Sequence, residues 1–194
     1  MSAPVPAPAR MKVALYFGPG DVRVEERPIP EAGPREALAA VMACGICGSD
    51  TMSWYRDPAT RNGGINTGHE IAGRLVHVGS EVSSWKAGDR VVITHHFPCL
   101  QCNPCRDGNE TACEAMHVKH IEPGGFSQYV RILESGMARG LYRLPDTMSY
   151  EEGSFVEPLG CVVRSLRKAS PIAGRSVLVI GSGLAGLLHI KLAR

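Results

Sequence analysis

The sequence lacks a charge excess and lacks any long apolar segment. Its 194 residues carry 21 basic and 19 acidic side chains, which leaves a formal net charge of +2. The basic residues are scattered and form no cluster that could follow a phosphate backbone, so no nucleic-acid partner is expected. The longest stretch without a charge, Ser176 to Ile190, is broken by glycines and is shorter than the ~20 residues that cross a membrane. These absences predict a cytoplasmic protein with no membrane partner.

The chain also lacks a secretory signal. Met1 to Arg10 is a tail rich in alanine and proline without the apolar core of a signal peptide, and we expect it to be disordered. Seven cysteines are present, and this odd number, without a signal sequence, argues against a disulfide framework. A chain of this length can form one well-packed domain and the beginning of another.

Most of the chain predicts β structure. Between Met11 and about Arg143, short apolar segments alternate with turns that contain glycine and proline, and this spacing favours a compact barrel or sandwich. A hairpin turn is expected at residues 18–21, and Gly88 with Asp89 marks the start of a strand. The expected strands are Lys12 to Phe17, Val22 to Glu26, Ala37 to Ala43, Ile71 to Val78, Arg90 to Thr94 and Phe126 to Ile132.

Helix signals come only later in the chain. Ser149 and Glu152 form a capping box ahead of an apolar run that Pro158 interrupts. We therefore expect two short helices, or one kinked helix, between Tyr150 and Lys168.

The last segment has the pattern of a dinucleotide-binding turn. Val177 to Ile180 predicts a strand buried in a parallel sheet, and an apolar helix is expected from Leu187 to Ala193. A strand before the glycine-rich turn and a helix after it favour a pyrophosphate-binding site. The alternative is a glycine-rich turn that serves only packing. The side chain that distinguishes NAD from NADP would follow only ~20 residues further on. The GxGxxG turn itself contains Gly181, Gly183, Leu184 and Gly186.

The most specific metal signal is a loop with four cysteines, Cys99, Cys102, Cys105 and Cys113. Four thiolates complete a tetrahedral shell, so the loop predicts a structural zinc site without an open position for substrate. Disulfides and an iron–sulfur cluster are the alternatives, and spacing alone does not exclude the cluster.

A second, dispersed set of residues predicts a catalytic metal site. Cys47, His69 and Glu157 offer a thiolate, an imidazole and a carboxylate, and three protein ligands with an open fourth position are typical of catalytic zinc. Each residue also has an ordinary interpretation. A lone cysteine is commonly buried, a lone histidine is often simply hydrogen-bonded, and a glutamate can belong to a helix turn.

Taken together, the motifs resemble those of the zinc-dependent medium-chain dehydrogenases of the alcohol dehydrogenase superfamily. The resemblance covers residues 11 to 194, and the segment Glu157-Pro158-Leu159 is most similar to the sorbitol (iditol) and threonine dehydrogenase branch. It implies a mainly β fold, with a GroES-like barrel catalytic domain over residues 11–170 and the first strand, turn and helix of an α/β Rossmann domain over 171–194. Besides the cysteine loop and the GxGxxG turn, the motifs are Cys47-Gly48-Ser49-Asp50, Gly68-His69-Glu70 with Gly73, and Gly88-Asp89-Arg90-Val91.

The resemblance also implies metal ligands. Cys47 and His69 would bind the catalytic zinc, and Glu157 would be the third ligand or a ligand through water. Glu70 would bind the metal directly or support another ligand. Cys161, one helical turn after Glu157, is a competing candidate for the third position, but we expect it to pack in the core.

Further roles follow from the same resemblance. Ser49 would pass the hydroxyl proton of the substrate towards solvent, and Asp50 would accept the other imidazole N–H of His69. The chain departs from the family at Met52, where a relay histidine is common, so proton release would run through other groups or water. Trp54 and Tyr55 either line the substrate cleft or pack in the fold.

The implied reaction is the oxidation of a secondary alcohol or polyol, with zinc as Lewis acid and hydride transfer to NAD or NADP. The chain is expected to be the N-terminal part of a longer homodimeric or homotetrameric enzyme and to be inactive alone. A non-catalytic zinc-binding module and a zinc-free quinone or enoyl reductase are the alternatives.

The remaining histidines and cysteines near these motifs are expected to have no metal or redox role. Four thiolates already complete a tetrahedron, which excludes the histidines that flank the cysteine loop. Cys44 precedes Cys47 in a Cys-x-x-Cys pair, but no thioredoxin-like βαβ pattern supports redox chemistry. The flanking histidines are His95, His96, His117 and His120.

Overall fold

The chain forms two compact units that divide after Ser154. The computed structural model describes residues 9–170 and 174–194, so residues 1–8 of the expected tail and the start of the expected Rossmann segment at 171–173 lie outside the described residues. Arg10, expected as the last residue of the tail, is instead the first residue of a strand. Within the described part of the chain, no helix is long and apolar enough to cross a membrane.

The first unit is built from antiparallel strands. A hairpin of β1 and β2 pairs through a tight turn at which Gly20 has a φ of +75°, a left-handed conformation that favours glycine. The other six strands form one sheet in the order β6-β7-β3-β4-β5-β8. The strands are β1 (Arg10–Gly18), β2 (Asp21–Pro28), β3 (Ala37–Gly45), β4 (Glu70–Val78), β5 (Arg90–Ile93), β6 (Ile121–Glu122), β7 (Tyr129–Ile132) and β8 (Leu141–Arg143).

Short helices and turns connect these strands. Single 3₁₀ turns lie at Gly48–Asp50, Asp57–Asn62, Glu110–Ala112 and Glu114–His117. The α-helices are α1 (Ser53–Arg56), α2 (Asn103–Arg106), α3 (Glu134–Arg139), α4 (Tyr150–Ser154), α5 (Val156–Ala169) and α6 (Leu184–Leu192).

Burial follows the strand patterns of the sequence. Along β1, Met11, Val13 and Leu15 are buried and alternate with more exposed residues, as in a strand with one face on the core. In β5, by contrast, the run Val91–Ile93 is buried throughout. The largest core cluster gathers Ala37, Ala39, Ile71, Leu75, Val91, Ile93, Ile121, Val130, Ile132 and Leu141.

The expected strands of the first unit are present, with one shortened. Residues 126–128 were expected as the start of β7, but they lie outside that strand and bond to β1. The amide of Ala14 donates to the carbonyl of Phe126, and the amide of Gln128 donates to the carbonyl of Lys12. The carbonyl of Gln128 accepts the amide hydrogen of Val41 in β3, so Gln128 links the hairpin to the main sheet.

The expected helices around residue 150 form as two separate elements. The Ser149 amide donates to the Glu152 carboxylate at 2.7 Å and the Glu152 amide donates to the Ser149 hydroxyl at 3.1 Å, so the capping box is confirmed. Pro158 does not interrupt a helix, because it lies in the first turn of α5, where its missing N–H has no intrahelical acceptor.

In the second unit, the expected strand over Val177 to Ile180 is not formed. No described residue pairs with this segment, and strand assignment requires a hydrogen-bonded neighbour. Leu178 and Ile180 are exposed by 86% and 92%, in contrast to the buried strand that their apolar character predicts. The helix that follows does form, as α6.

Buried and exposed valines offer a matched test of the core. Val91→Ala in β5 should destabilise the first unit by about 2–3 kcal/mol, since two methyl groups are lost from a fully buried site. Val24→Ala in β2 removes the same groups from a side chain that is 68% exposed, and should change stability by less than ~0.5 kcal/mol. Urea unfolding in the presence of zinc measures both, and equal losses would contradict the assigned core.

Candidate metal centres and dinucleotide turn

The pairing of β3 with β4 brings two distant segments together. Gly45, the last residue of β3, is paired with Glu70, the first residue of β4. Cys47 lies two residues beyond one end of this pair, and His69 lies one residue before the other. The register of two strands therefore places a thiol and an imidazole side by side although 21 residues separate them in the sequence.

Cys47, His69 and Glu70 form the candidate catalytic centre. One ligand atom from each, a sulfur, a ring nitrogen and a carboxylate oxygen, lies within 4.8 Å of the others. Ligand atoms that share a tetrahedral zinc are about 3.5 Å apart, given bonds of about 2.0–2.3 Å, so small side-chain movements would close the site on a metal. His69 and Glu70 are buried, and Cys47 is partly exposed.

Hydrogen bonding fixes the orientation of the His69 ring. Its Nδ1 lies 2.8 Å from the carbonyl oxygen of Thr67 and 3.5 Å from Oδ1 of Asp50. A carbonyl can only accept, so Nδ1 carries the hydrogen and Nε2 is the atom that can bind a metal. Asp50, the acceptor expected from the sequence, is therefore the more distant of the two acceptors. The shorter hydrogen bond goes to the backbone carbonyl of Thr67, which side-chain patterns in the sequence do not reveal.

The surroundings of His69 favour its protonated form when no metal competes. Burial lowers the pKa of His69, but hydrogen bonds with Asp50, Thr67 and Cys47 outweigh burial and raise it to about 10. A metal ion bound at Nε2 takes the place of that proton, so metal binding releases a proton.

Asp50 is a buried carboxylate that contacts several parts of the centre. Its side chain is 4% exposed, and Oδ2 accepts the Cys47 amide hydrogen at 2.9 Å. Burial raises the pKa of Asp50, and the bonds from His69 and from the Cys47 amide more than compensate, so the pKa lies below its usual value. Asp50 therefore remains ionised and holds the backbone of Cys47.

Glycine at position 45 leaves room for the Glu70 carboxylate. A Cβ atom at Gly45 would lie 1.9 Å from Oε2 of Glu70, which is far inside van der Waals contact. A Cβ atom added to Gly48, three residues later, would have no described atom within 4 Å. The close approach at Gly45 is therefore specific to the position of the Glu70 side chain.

His95 is a second imidazole at this centre. Continuing the register of β4 and β5, in which Ile71 pairs with Ile93, places His95 opposite His69, and their ring centroids are 4.8 Å apart. Burial lowers the pKa of His95 to about 3, so the ring is neutral. The Nδ1 atom of His95 is buried without a hydrogen-bond partner among the described residues.

The four cysteine sulfurs of the 99–113 loop lie within 4.8 Å of one another. No disulfide joins them, and the sulfurs of Cys102 and Cys105 are 3.4 Å apart, far longer than the ~2.05 Å of an S–S bond. This spacing fits a single tetrahedral ion, and the multi-iron cluster considered above would hold the sulfurs further apart.

Backbone amides favour the thiolate form of two cysteines of this loop, Cys99 and Cys113, whereas burial raises the pKa of Cys105 to about 12. The amides of Gln101 and Cys102 donate to Sγ of Cys99, at 3.5 and 3.3 Å, and lower the pKa of Cys99 to about 6. The Cys99 amide in turn donates to Sγ of Cys113 at 3.3 Å. N–H groups directed at sulfur stabilise its charged form, which is the form that binds metal.

Two of the residues expected to have no ligand role are accounted for by other contacts. His120 uses both ring nitrogens, with Ser135 Oγ at 2.8 Å and the carbonyl of Ala115 at 2.9 Å, and it stacks on Phe97. Burial raises the pKa of Cys44 to about 12, so this thiol stays protonated and is a poor nucleophile.

In the second unit, the GxGxxG segment has the geometry of a tight turn before a helix. Gly181 has a φ of +109°, and a Cβ at Gly186 would lie 2.0 Å from the Gly181 carbonyl oxygen, so both positions require glycine. Gly183, the N-cap of α6, has no described atom within 4 Å of an added Cβ. Leu184 is the first residue of α6. The first and third positions of the motif thus accept only glycine, and space is open beside the second. This pattern fits a turn that a pyrophosphate can approach closely.

Glu157 and Cys161 also belong to the second unit. Cys161 is exposed, so the expectation that it packs in the core was wrong. The two residues lie one turn apart on α5, with Sγ of Cys161 at 3.9 Å from Oε1 of Glu157. Their participation in the metal centre of the first unit remains a prediction.

Comparison with known proteins agrees with this architecture. The chain belongs to the family described as the alcohol dehydrogenase GroES-like domain, whose model matches residues 33–146. This family assignment confirms the mainly β, GroES-like fold class expected from the sequence. It covers the strands that carry both clusters of candidate metal ligands.

Individual relatives extend the similarity. The chain is 37% identical over 179 residues to "Probable D-xylulose reductase A" of Aspergillus fumigatus, covering 89% of this chain and 49% of that protein. It is 30% identical over 193 residues to the sorbitol dehydrogenase of Bacillus subtilis, covering 96% and 53%. A solved structure of a putative zinc-binding dehydrogenase from Sinorhizobium meliloti 1021 bound to NADP matches with a TM-score of 0.78 and 30% identity, covering 96% and 53%. The chain thus spans about half the length of the curated relatives it matches.

Gly45→Ala should displace the Glu70 carboxylate and weaken metal binding at the Cys47 centre, with the backbone fold retained. The expected loss is 10- to 100-fold in cobalt affinity, the usual range when support for a metal site is removed. Gly48→Ala is the matched control, since an added methyl group meets no described atom there. Cobalt absorption titrations measure both variants, and equal affinities would contradict the role given to the space at Gly45.

Proposed function

We propose that this chain supplies the metal-binding half of a zinc-dependent dehydrogenase that oxidises a secondary alcohol or polyol and transfers hydride to NAD or NADP. The observation that carries the proposal is the meeting of Cys47, His69 and Glu70 at the paired ends of β3 and β4. The names of the relatives, xylulose reductase and sorbitol dehydrogenase, favour a polyol as substrate.

The donor set suits zinc. One thiolate, one imidazole and one carboxylate leave a fourth position of the tetrahedron open, as in catalytic zinc sites. When bound by these residues, zinc would supply Lewis-acid polarisation of the substrate hydroxyl, and NAD or NADP would serve as hydride acceptor. We propose Cys47, His69 and Glu70 as the residues that hold it, with Glu157 as the competing carboxylate. The GxGxxG turn would bind the cofactor pyrophosphate.

Residues around the centre prepare it for proton transfer. Ser49 lies in the 3₁₀ turn between Cys47 and Asp50, where its hydroxyl can take the proton of the substrate hydroxyl. Thr67 and Asp50 hold His69 in one tautomer, and Asp50 also fixes the Cys47 backbone. With Met52 in the place of a relay histidine, the proton leaves Ser49 to water.

The aromatic pair on α1 is placed to meet substrate. Trp54 is 77% exposed and Tyr55 is 51% exposed, so neither is committed to the core of the first unit. Their ring centroids lie 5.8 Å apart, and α1 begins six residues after Cys47. We propose that this pair borders the substrate site.

The four-cysteine loop has a different role. Its four thiolates leave no open coordination position, so we propose that it holds a structural zinc ion and orders residues 99–113. A structural zinc contributes directly to the free energy of folding of the segment that binds it.

The activity assay uses the protein that the full reading frame encodes. We expect zinc-dependent reduction of NAD or NADP with sorbitol, threonine or a simple secondary alcohol, and oxidation of NADH or NADPH with D-xylulose. Removal of zinc with a chelator should abolish turnover, and its return should restore it. Absence of turnover with all these substrates in zinc-loaded protein would overturn the proposal.

Two cysteine variants separate the proposed metal roles. Cys47→Ser should remove one zinc ion per chain and leave thermal stability nearly unchanged, because the open site stabilises little structure. Cys102→Ser should remove the other ion and lower the melting temperature, because the loop loses its cross-link. Zinc analysis and thermal unfolding measure both effects. Each variant should keep one zinc ion per chain. The same melting temperature in the two variants, or a larger fall for Cys47→Ser, would contradict this division.

A further inference from the structure

Arg56 lies at the candidate catalytic centre although no motif in the sequence marks it. It is the last residue of α1, and its side chain is only 17% exposed. The guanidinium Nε donates to the Ser49 carbonyl at 2.8 Å, and Nη2 donates to the Ser49 hydroxyl oxygen at 3.2 Å. The same Nη2 lies 3.5 Å from Oδ1 of Asp50, and the guanidinium stacks over the Tyr55 ring at 4.7 Å.

The contact with Asp50 compensates a buried charge. Asp50 is 4% exposed, and its carboxylate faces His69 through Oδ1 and the Cys47 amide through Oδ2. A buried carboxylate is costly unless it is paired, and Arg56 is the permanently charged partner of this one. The position of Asp50, and through it of Cys47 and His69, therefore depends on the guanidinium.

The contact with Ser49 restricts its hydroxyl group. Because the Ser49 oxygen accepts a hydrogen bond from Arg56, one of its lone pairs is occupied. The hydroxyl hydrogen and the other lone pair remain for a substrate and for water. A rigid fork of N–H donors can serve Ser49 and Asp50 together, whereas the single ammonium of lysine cannot match both.

We propose that Arg56 is a positioning residue of the metal centre, which holds Ser49 and Asp50 in place and through them orients Cys47 and His69. The inference rests on the proposed function, since it gives Arg56 a purpose only where Cys47 and His69 bind a metal. It adds a residue that the motifs of the sequence do not contain.

Cobalt titration of the 194-residue chain tests the inference. The four-cysteine loop and the Cys47 centre differ in sulfur content, so their cobalt absorption bands differ and each affinity can be followed in the same sample. Arg56→Met should weaken cobalt binding at the Cys47 centre by 10- to 100-fold and shift its absorption bands, with the cysteine loop unchanged. Arg56→Lys should also weaken the centre, by less, because it keeps the charge and loses the fork.

Arg61→Met is the matched control. Arg61 lies in the adjacent 3₁₀ turn and is exposed, so its removal changes net charge by the same amount without touching the centre. An Arg56→Met affinity equal to that of Arg61→Met would overturn the inference. If Arg56→Met also abolishes cobalt binding at the cysteine loop, Arg56→Lys is the deciding variant. Weaker cobalt binding by Arg56→Lys at the Cys47 centre alone supports the inference, and an unchanged cobalt affinity there overturns it. An unsubstituted chain that binds cobalt only at the cysteine loop would overturn the proposed function, and the inference with it.

Discussion

The register between β3 and β4 is the constraint on which the candidate centre depends. Pairing of Gly45 with Glu70 sets the ends of two strands side by side, and the next residues of each chain segment supply the thiol and the imidazole. A slip by one residue would turn every side chain of the slipped strand to the opposite face of the sheet. Buried residues such as Ile71 and Leu75 resist that slip, since it would expose them. The apolar core therefore fixes the geometry of the candidate metal ligands.

Much of the fold follows from local patterns in the sequence. Alternating and continuous apolar runs predicted the strands of the first unit, and the Ser149 capping box predicted the start of α4. Two expectations were wrong because they depended on partners rather than on pattern. Residues 126–128 lie outside β7 and bond to β1, with Gln128 also bonded to Val41 of β3. Val177 to Ile180 has no hydrogen-bonded neighbour among the described residues.

The candidate centre was predicted only in part. Motifs indicated Cys47, His69, Glu70 and the four cysteines of the loop, and the structure gathers these residues into two candidate metal-binding clusters. Contacts made by the backbone or across the sheet could not be read in the same way. The carbonyl of Thr67, which fixes the His69 tautomer, and His95, which lies opposite His69, depend on strand register. Arg56 depends on how α1 folds back onto the turn at residues 48–50.

The central claim is that one chain holds two zinc sites of different chemistry, a closed shell of four thiolates and an open centre with mixed ligands. X-ray absorption at the zinc edge of the zinc-saturated chain tests it most directly, because bond lengths to sulfur and to lighter atoms differ. The account predicts two zinc ions per chain, with a sulfur shell at about 2.3 Å and a nitrogen and oxygen shell at about 2.0–2.1 Å. A single zinc ion with a sulfur shell alone would contradict it.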